Sequence, residues 1–285
     1  MILAAATNGK VHPPTPGEIA QAMTGRDYLS YSQVTTYQAC PLQWWYSYVE
    51  KAPKEHVSAA LLLGSGVHAA IEYHLQAVMA EDPVPSVDEL MGVFQQSWKT
   101  DAGVLPVQYT GEDDANGQGE TARRMIQAYL ESPHSKVQGE LIGIEEQLRT
   151  TLAPDLPDLL AVIDKIEHRE GELVLTDHKT ARSMWSAGTA LEHADQLILY
   201  AQAAEAIAGE LNAKIKLEFC VITKAKMPKV ETITVAYDSD KANRSKAVIR
   251  NVFKSMQLGV VYPSPSAMRC PTCSFRKNCD GWHKR

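Results

Sequence analysis

Asp164 and the triplet Asp177-His178-Lys179 hold the residue types that metal-assisted hydrolysis requires: two carboxylates and an ammonium. Asp164 follows the branched apolar run Leu159-Leu160-Ala161-Val162-Ile163, which reads as a strand. Glu172 to Lys179 alternates apolar and polar residues, the pattern of a second strand. Glu170-Gly171 between them fits a two-residue turn, which pairs Arg169 with Glu172 and carries the same register to Asp164 and Asp177. Carboxylates facing each other across a sheet repel, so the arrangement invites a cation between them. Lys179 lies two residues beyond Asp177 and shares its face. Two acids around a divalent ion, with an ammonium beside them, can activate water against a phosphodiester. A bulge or longer turn would slip the pairing and send Asp164 to the other face. The plain alternative is an exposed hairpin with solvated charges.

The cysteines form a second constellation. Cys270, Cys273 and Cys279 make a C-x2-C-x5-C loop rich in polar residues and proline. Cys40, in Ala39-Cys40-Pro41 at the end of a short helical pattern, is the natural fourth ligand. Cys220 lies in the apolar run from Leu217 to Ile222 and reads as a buried structural thiol. Four thiolates suit a tetrahedral structural zinc or a [4Fe–4S] cluster, and spacing alone leaves both open. Disulfides are a third reading, disfavoured in a cytosolic setting. A group joining Cys40 to the late cysteines would act as a clasp, and its loss should loosen the fold.

The elements that must position these residues lie in a globular chain. With 285 residues, it can bury one large core or two modest ones. No apolar run approaches membrane-spanning length, and Met1-Ile2-Leu3-Ala4-Ala5-Ala6 lacks the basic leader of a signal peptide. The expectation is a cytoplasmic protein with no membrane partner. Residues 1–25, with Pro13, Pro14 and Pro16, read as a flexible arm, and 26–285 as a single domain.

The net charge of −6 conceals an asymmetry: from Lys214 to Arg285 there are 15 Lys and Arg against 5 Asp and Glu. That basic quarter could track phosphates, or be an ordinary solvated surface. On a helix expected over 238–258, Lys246, Arg250 and Lys254 recur on one face, with Val248, Val252 and Phe253 on the side to be buried. The stripe could follow a DNA backbone, with a plain solvent-facing stripe as the equal alternative. No G-x-x-x-x-G-K-[ST] loop occurs, so the chain has no nucleotide-driven motor of that kind.

Gly64-Ser65-Gly66 is expected to break the chain before a helix through Ile71, Leu75 and Val78. His68 would then sit in the first turn, with Glu72 one turn on and able to orient it. On the residues alone, a structural histidine is the better reading. Gln196 and Tyr200 stand one turn apart on a helix expected over 190–209. Their amide and phenol suit phosphate oxygens or a base edge, or a polar pair at a helix–sheet junction. Residues 83–139 show no catalytic pattern. Helices at 86–99 and 118–131, around a polar loop from Gly111 to Gly119, would form a cover over the cleft that channels single-stranded DNA.

These segments together resemble a RecB-type nuclease of the PD-(D/E)xK superfamily, and more narrowly its iron–sulfur members, the AddB nuclease domain and the CRISPR-associated adaptation exonucleases. The resemblance runs from about Leu29 to Cys279. Leu29-Ser30-Tyr31-Ser32 with Tyr37-Gln38-Ala39-Cys40-Pro41 is similar to the opening helix that delivers the first cluster cysteine. Leu63-Gly64-Ser65-Gly66-Val67-His68 resembles the glycine-then-histidine motif, and Ala161-Val162-Ile163-Asp164 the Gly-x-x-Asp motif with alanine in place of glycine. Asp177-His178-Lys179 resembles D-x-K, Gln196 to Tyr200 Q-x-x-x-Y, and Cys270, Cys273 and Cys279 the late cluster ligands.

The resemblance implies an α/β fold with a restriction-endonuclease-like core. A mixed sheet, with strands near 140–150, 159–168, 172–179, 215–224 and 229–237, would be flanked by helices. The helical cover would span 83–139, and residues 260–285 with Cys40 would form an Fe–S clasp. It implies that His68, Asp164, Asp177 and the His178 carbonyl bind Mg2+ or Mn2+ and that Lys179 orients the attacking water. It further implies a DNA exonuclease acting on single strands or duplex ends, in phage or bacterial recombination and repair or in CRISPR spacer processing. A recombination protein or CRISPR integrase is the expected partner. The alternative from another class is a catalytically inactive DNA-binding or adaptor protein with a structural zinc or Fe–S site.

Overall fold

The computed structural model describes residues 12–110 and 114–284. Helix α1 (Pro16–Thr24) leads to strand β1 (Tyr28–Ser30), then α2 (Tyr31–Ala39) and α3 (Pro41–Trp44), which continues as a π-helical turn. Strand β2 (Val57–Ser58) precedes α4 (Ala59–Met79) and α5 (Val87–Ala102), followed by β3 (Val107–Gln108) and α6 (Ala115–Glu131). The central strands β4 (Glu140–Thr150), β5 (Asp158–Arg169) and β6 (Glu172–Ala181) follow. Three short helices, α7 (Ala187–His193), α8 (Asp195–Ala203) and α9 (Glu205–Glu210), stand where one helix over 190–209 is expected. Strands β7 (Lys214–Thr223) and β8 (Val230–Val235), then α10 (Ser239–Gln257) and α11 (Arg276–Asp280), complete the order.

The main sheet is mixed, as expected. Its order is β1–β5–β6–β7–β8, and β4 lies on the other edge of β5. β5 and β6 form the antiparallel hairpin, whereas β6 pairs with β7 in parallel through the connecting helices. Glu170 and Gly171 both have positive φ, 51° and 76°, the backbone that a tight hairpin turn demands.

Each sheet face is covered. Ile163, Ile166, Leu175, Phe219 and Val221 pack beneath α8, with Leu197 and Ile198. Cys220 and Ile222, alternating with those residues along β7, pack against α4, α5 and α6. A third cluster joins α1, α2 and α10 to Leu159 at the start of β5. Among the described residues no helix is long and apolar enough to cross a membrane.

Two local expectations are overturned. The flexible arm does not extend through residues 16–24, which form α1; residues 1–11 lie outside the described residues. Thr15 and Glu18 make a reciprocal capping box, Pro16 occupies the first turn, and Gly25 ends the helix at φ 78°. Proline is pre-organised for a helix start, so it opens this element rather than preventing it.

Gly64-Ser65-Gly66 does not break the chain either. It lies inside α4, which starts at Ala59, so His68 is mid-helix rather than in the first turn. A Cβ at Gly66 would come within 2.5 Å of the Phe94 ring, and one at Gly64 within 3.4 Å of Thr180 Oγ1. The glycines serve close approach of α4 to α5 and β6.

Candidate active site

The site forms where the sheet ladder splits. β4 pairs with β5 along most of its length. The opposite edge of β5 is shared: β1 takes Asp158, Leu159 and Leu160, and β6 takes Lys165 to Arg169. Residues 161–164 lie in the gap. Backbone groups there still need partners. The carboxylate of Asp164 accepts the His178 N–H at 2.6 Å, and the Tyr200 hydroxyl lies beside the backbone of Val162. The predicted register holds from Arg169 and Glu172 to Lys165 and Thr176. One step further the ladder ends, so Asp164 engages the main chain beside Asp177 instead of pairing with it.

A third acid, absent from the sequence reading, joins from β4. Ile144 pairs with Lys165 and Glu146 with Ile163, which sets Glu145 opposite Asp164. Glu145 has φ 50°, a strained conformation that costs a non-glycine residue about 1–3 kcal/mol. His68 approaches from α4, its Nδ1 3.6 Å from Asp164 Oδ2. Among the described residues, His68, Glu145 and Asp164 each offer a ligand atom, all within 4.8 Å of one another. Glu72 accepts a hydrogen bond from Gln76 at 2.9 Å and does not take the orienting role expected for it. The His178 ring does take part, its Nδ1 3.5 Å from Asp164 Oδ2.

Electrostatics favour a cation here. Burial, then Asp164, Glu72 and Asp177, push Glu145 up to about 7. Burial and the neighbouring Asp164 also raise Asp177. Burial works against the Asp164 charge too, yet its hydrogen bond from His178 and the nearby rings hold that carboxyl low. Burial keeps His68 below its ordinary value, so it offers a neutral ring at neutral pH, the form that binds metals. Crowded carboxylates and a neutral imidazole suit a divalent ion, which would relieve their repulsion.

Lys179 completes the arrangement. Its Nζ lies 2.6 Å from Asp177 Oδ2 and donates to Gln196 Oε1 at 3.2 Å. Gln196 Nε2 donates in turn to the Tyr200 hydroxyl at 3.2 Å. The Phe219 ring lies 5.9 Å below the ammonium. Gln196 and Tyr200, read from sequence as DNA contacts, are thus engaged in holding Lys179 and closing the gap in β5; Tyr200 is only 6% exposed.

The sequence model of the PD-(D/E)XK nuclease superfamily matches residues 28–280. The chain belongs to that superfamily. Its members hydrolyse phosphodiesters with divalent metals, which the carboxylate notch suits, and the family implies a DNA substrate. No curated protein sequence matches the chain. A candidate exonuclease from Eubacterium rectale has a similar fold, with TM-score 0.53 at 14% identity over 88% of this chain and 87% of that one. SSO0001 is a more distant match, with TM-score 0.32 at 13% identity over 87% of this chain and 94% of that one.

The remaining residues singled out from sequence lie elsewhere in this nuclease. Cys40, Cys270, Cys273 and Cys279 line one pocket of about 270 Å³, while Cys220 is buried in β7 as expected. Ser264 N–H donates to Cys40 Sγ at 3.4 Å and Ser266 N–H to Cys270 Sγ at 3.2 Å. On α10, Val252 and Phe253 are buried as expected, but Val248 is only half-buried and Ile249 takes its place in the core. Arg250 is engaged by Asp155, through Nε at 2.6 Å and Nη2 at 3.1 Å.

Proposed function

We propose that this nuclease is a Mg2+- or Mn2+-dependent DNA exonuclease. The observation that carries the reading is the meeting of His68, Glu145 and Asp164 within 4.8 Å, beside an Asp177–Lys179 pair 2.6 Å apart. Asp164 and Asp177, with His68 and the His178 carbonyl, would hold the ion, and Glu145 joins them. A bound divalent ion would ease the deprotonation of water and draw charge from the phosphoryl oxygens. Lys179, fixed between Asp177 and Gln196, donates a hydrogen bond that orients the attacking water. His178 fixes the Asp164 carboxylate through its N–H, in the place where it would hold the ion.

Exonucleolytic action is supported by the resemblance to RecB-type enzymes. Lys246, Arg250 and Lys254 are proposed backbone contacts to DNA, with Gln196 and Tyr200 holding Lys179 beside the scissile phosphate. The setting we favour is cytoplasmic recombination, repair or CRISPR spacer processing, and co-purification of a recombination protein or an integrase separates these. End-labelled single- and double-stranded DNA, digested with Mg2+ and with Mn2+, tests the activity. Stepwise loss of terminal nucleotides is expected, and its abolition in Lys179→Ala. DNA binding without metal-dependent cleavage would instead identify an inactive adaptor.

The cysteine pocket is proposed to hold [4Fe–4S]. A single zinc at about 2.3 Å from each sulfur would draw four thiolates to within about 4 Å of one another. The resemblance of Cys40, Cys270, Cys273 and Cys279 to the ligands of iron–sulfur nucleases favours the cluster over zinc. A four-iron cluster spreads its thiolates further, because each sulfur binds a separate corner. The two N–H groups on Cys40 and Cys270 are of the kind that tunes such clusters. Protein purified without oxygen should be brown and contain iron and sulfide; a colourless zinc protein would refute the cluster.

A further inference from the structure

Behind the catalytic notch, between β5–β8 and the turn at Pro133–Ser135, lies a separate polar cavity of about 290 Å³. Its floor is the cross-strand pair Lys165 and Thr176, which points away from the Ile166–Leu175 face packed under α8. Arg169 and Lys216 form walls, and Lys136 stands at the mouth. Four cations therefore line the space, with Glu218 the one carboxylate among the lining residues.

The surrounding acids do not neutralise it fully. Lys165 meets Glu167 at 2.9 Å; Arg169 and Lys216 share Glu218, at 3.2 and 3.1 Å, and Lys216 lies 3.6 Å from Glu172. Four cations thus face three carboxylates, and Lys136 has no ion pair among the described residues.

Hydrogen bonding leaves the same surplus of donors. An ammonium carries three N–H groups, and the Lys165 ammonium, only 8% exposed, donates to Glu167 at 2.9 Å. The Thr176 hydroxyl beside it is buried and has no partner. Thr232 and Thr234 bring further hydroxyls to the wall. His134, at the rim, is held below its ordinary value first by burial and next by Lys165. A water can answer some of these donors, but an oxyanion answers several at once and supplies the missing charge.

We propose that this cavity binds a phosphate-class dianion, either inorganic phosphate or the phosphate of a mononucleotide. The His178 ring forms part of the wall, and the same residue holds Asp164 through its N–H. An occupant therefore touches a residue that positions the catalytic acid. None of His68, Glu145 and Asp164 lines the cavity, and His178 is the one residue it shares with the proposed metal site, so binding in the absence of metal is read separately from the nuclease reading.

Calorimetric titration of the full chain in EDTA, with inorganic phosphate and separately with dAMP, tests this. One equivalent is expected to bind, and the His178 ring resonances to shift. Thr176→Val, which keeps the side-chain shape, and the outer-wall Lys216→Gln should each weaken binding about fivefold. Asp177→Ala should leave binding within about twofold of wild type, since that carboxylate lies on the other side of the sheet. Tighter binding of dAMP assigns a nucleotide, and equal affinities assign free phosphate. Absence of binding into the millimolar range, or binding indifferent to Thr176→Val and Lys216→Gln, overturns the site. Thermal melts of both variants check that they are folded.

Discussion

The acid notch and the cysteine pocket both gather metal-ligating side chains, by opposite means. The notch takes its acids from strands β4, β5 and β6, so sheet register sets their spacing and packed helices cover both faces. The pocket takes Cys40 from the gap between α2 and α3, and its other thiols from residues 270–279, where a 3-10 turn and the five-residue α11 are the only regular structure among the described residues. Its apolar support is small: Leu42, Tyr46 and Phe275 are the buried members of that cluster. The notch therefore holds its shape while its charges repel, whereas the proposed cluster would supply much of the pocket's support. Removing a ligand should cost the first chemistry and the second stability.

Asp177→Ala and Lys179→Ala test the notch with the largest expected effect. Each should lower cleavage by about 10² or more while the melting temperature holds. Cleavage within tenfold of wild type in either variant would remove that residue from the chemistry. Cys273→Ser should do the reverse: loss of colour and iron, a melting temperature several degrees lower, and intact notch chemistry in the fraction that stays folded. A variant that keeps its stability would show that the buried apolar residues suffice without the bound group.

Gly66→Ala brings the two behaviours together, because α4 carries His68. Collision with Phe94 should destabilise the protein by about 1–3 kcal/mol, measured by denaturant unfolding. Gln196→Ala should slow turnover about tenfold with little change in KM, since it loosens the lysine and not the substrate.

The smallest effect concerns pH. Glu145 is raised in the folded protein, so the native state binds more protons than the unfolded chain between the ordinary carboxylate value and about 7. Its contribution to stability therefore falls as pH rises through that window. Glu145→Gln should raise the melting temperature of metal-free protein at pH 8 and leave it nearly unchanged near pH 4. A pH-independent effect would mean that charge repulsion is not what Glu145 contributes.

What the sequence made legible was local. The hairpin of β5 and β6 could be registered because two residues with positive φ separate its strands, and residue types alone gathered the four cysteines. Glu145 escaped because its placement needs the β4–β5 register, which the long connection over residues 151–157, with its turn at Ala153 to Leu156, does not fix as a tight hairpin would. Its left-handed backbone adds an orientation that simple alternation does not forecast. The glycines of α4 misled for a related reason: their partners, Phe94 and Thr180, are distant in sequence, so a close approach looked like a break. Gln196 and Tyr200 were found, but the unpaired edge that they help to close is visible only in three dimensions.

The fastening of the early segment to the late one has a consequence for biosynthesis. Tyr37 donates to the Val260 carbonyl and Tyr46 to that of Asn278, while Cys40 waits across the pocket from three thiols made much later. During translation, α2 and α3 leave the ribosome with none of these partners. A group held by all four thiols, as proposed for the cluster, could load only once residues 270–279 are made, and a chain stalled after β8 would leave Cys40 without the other three thiols.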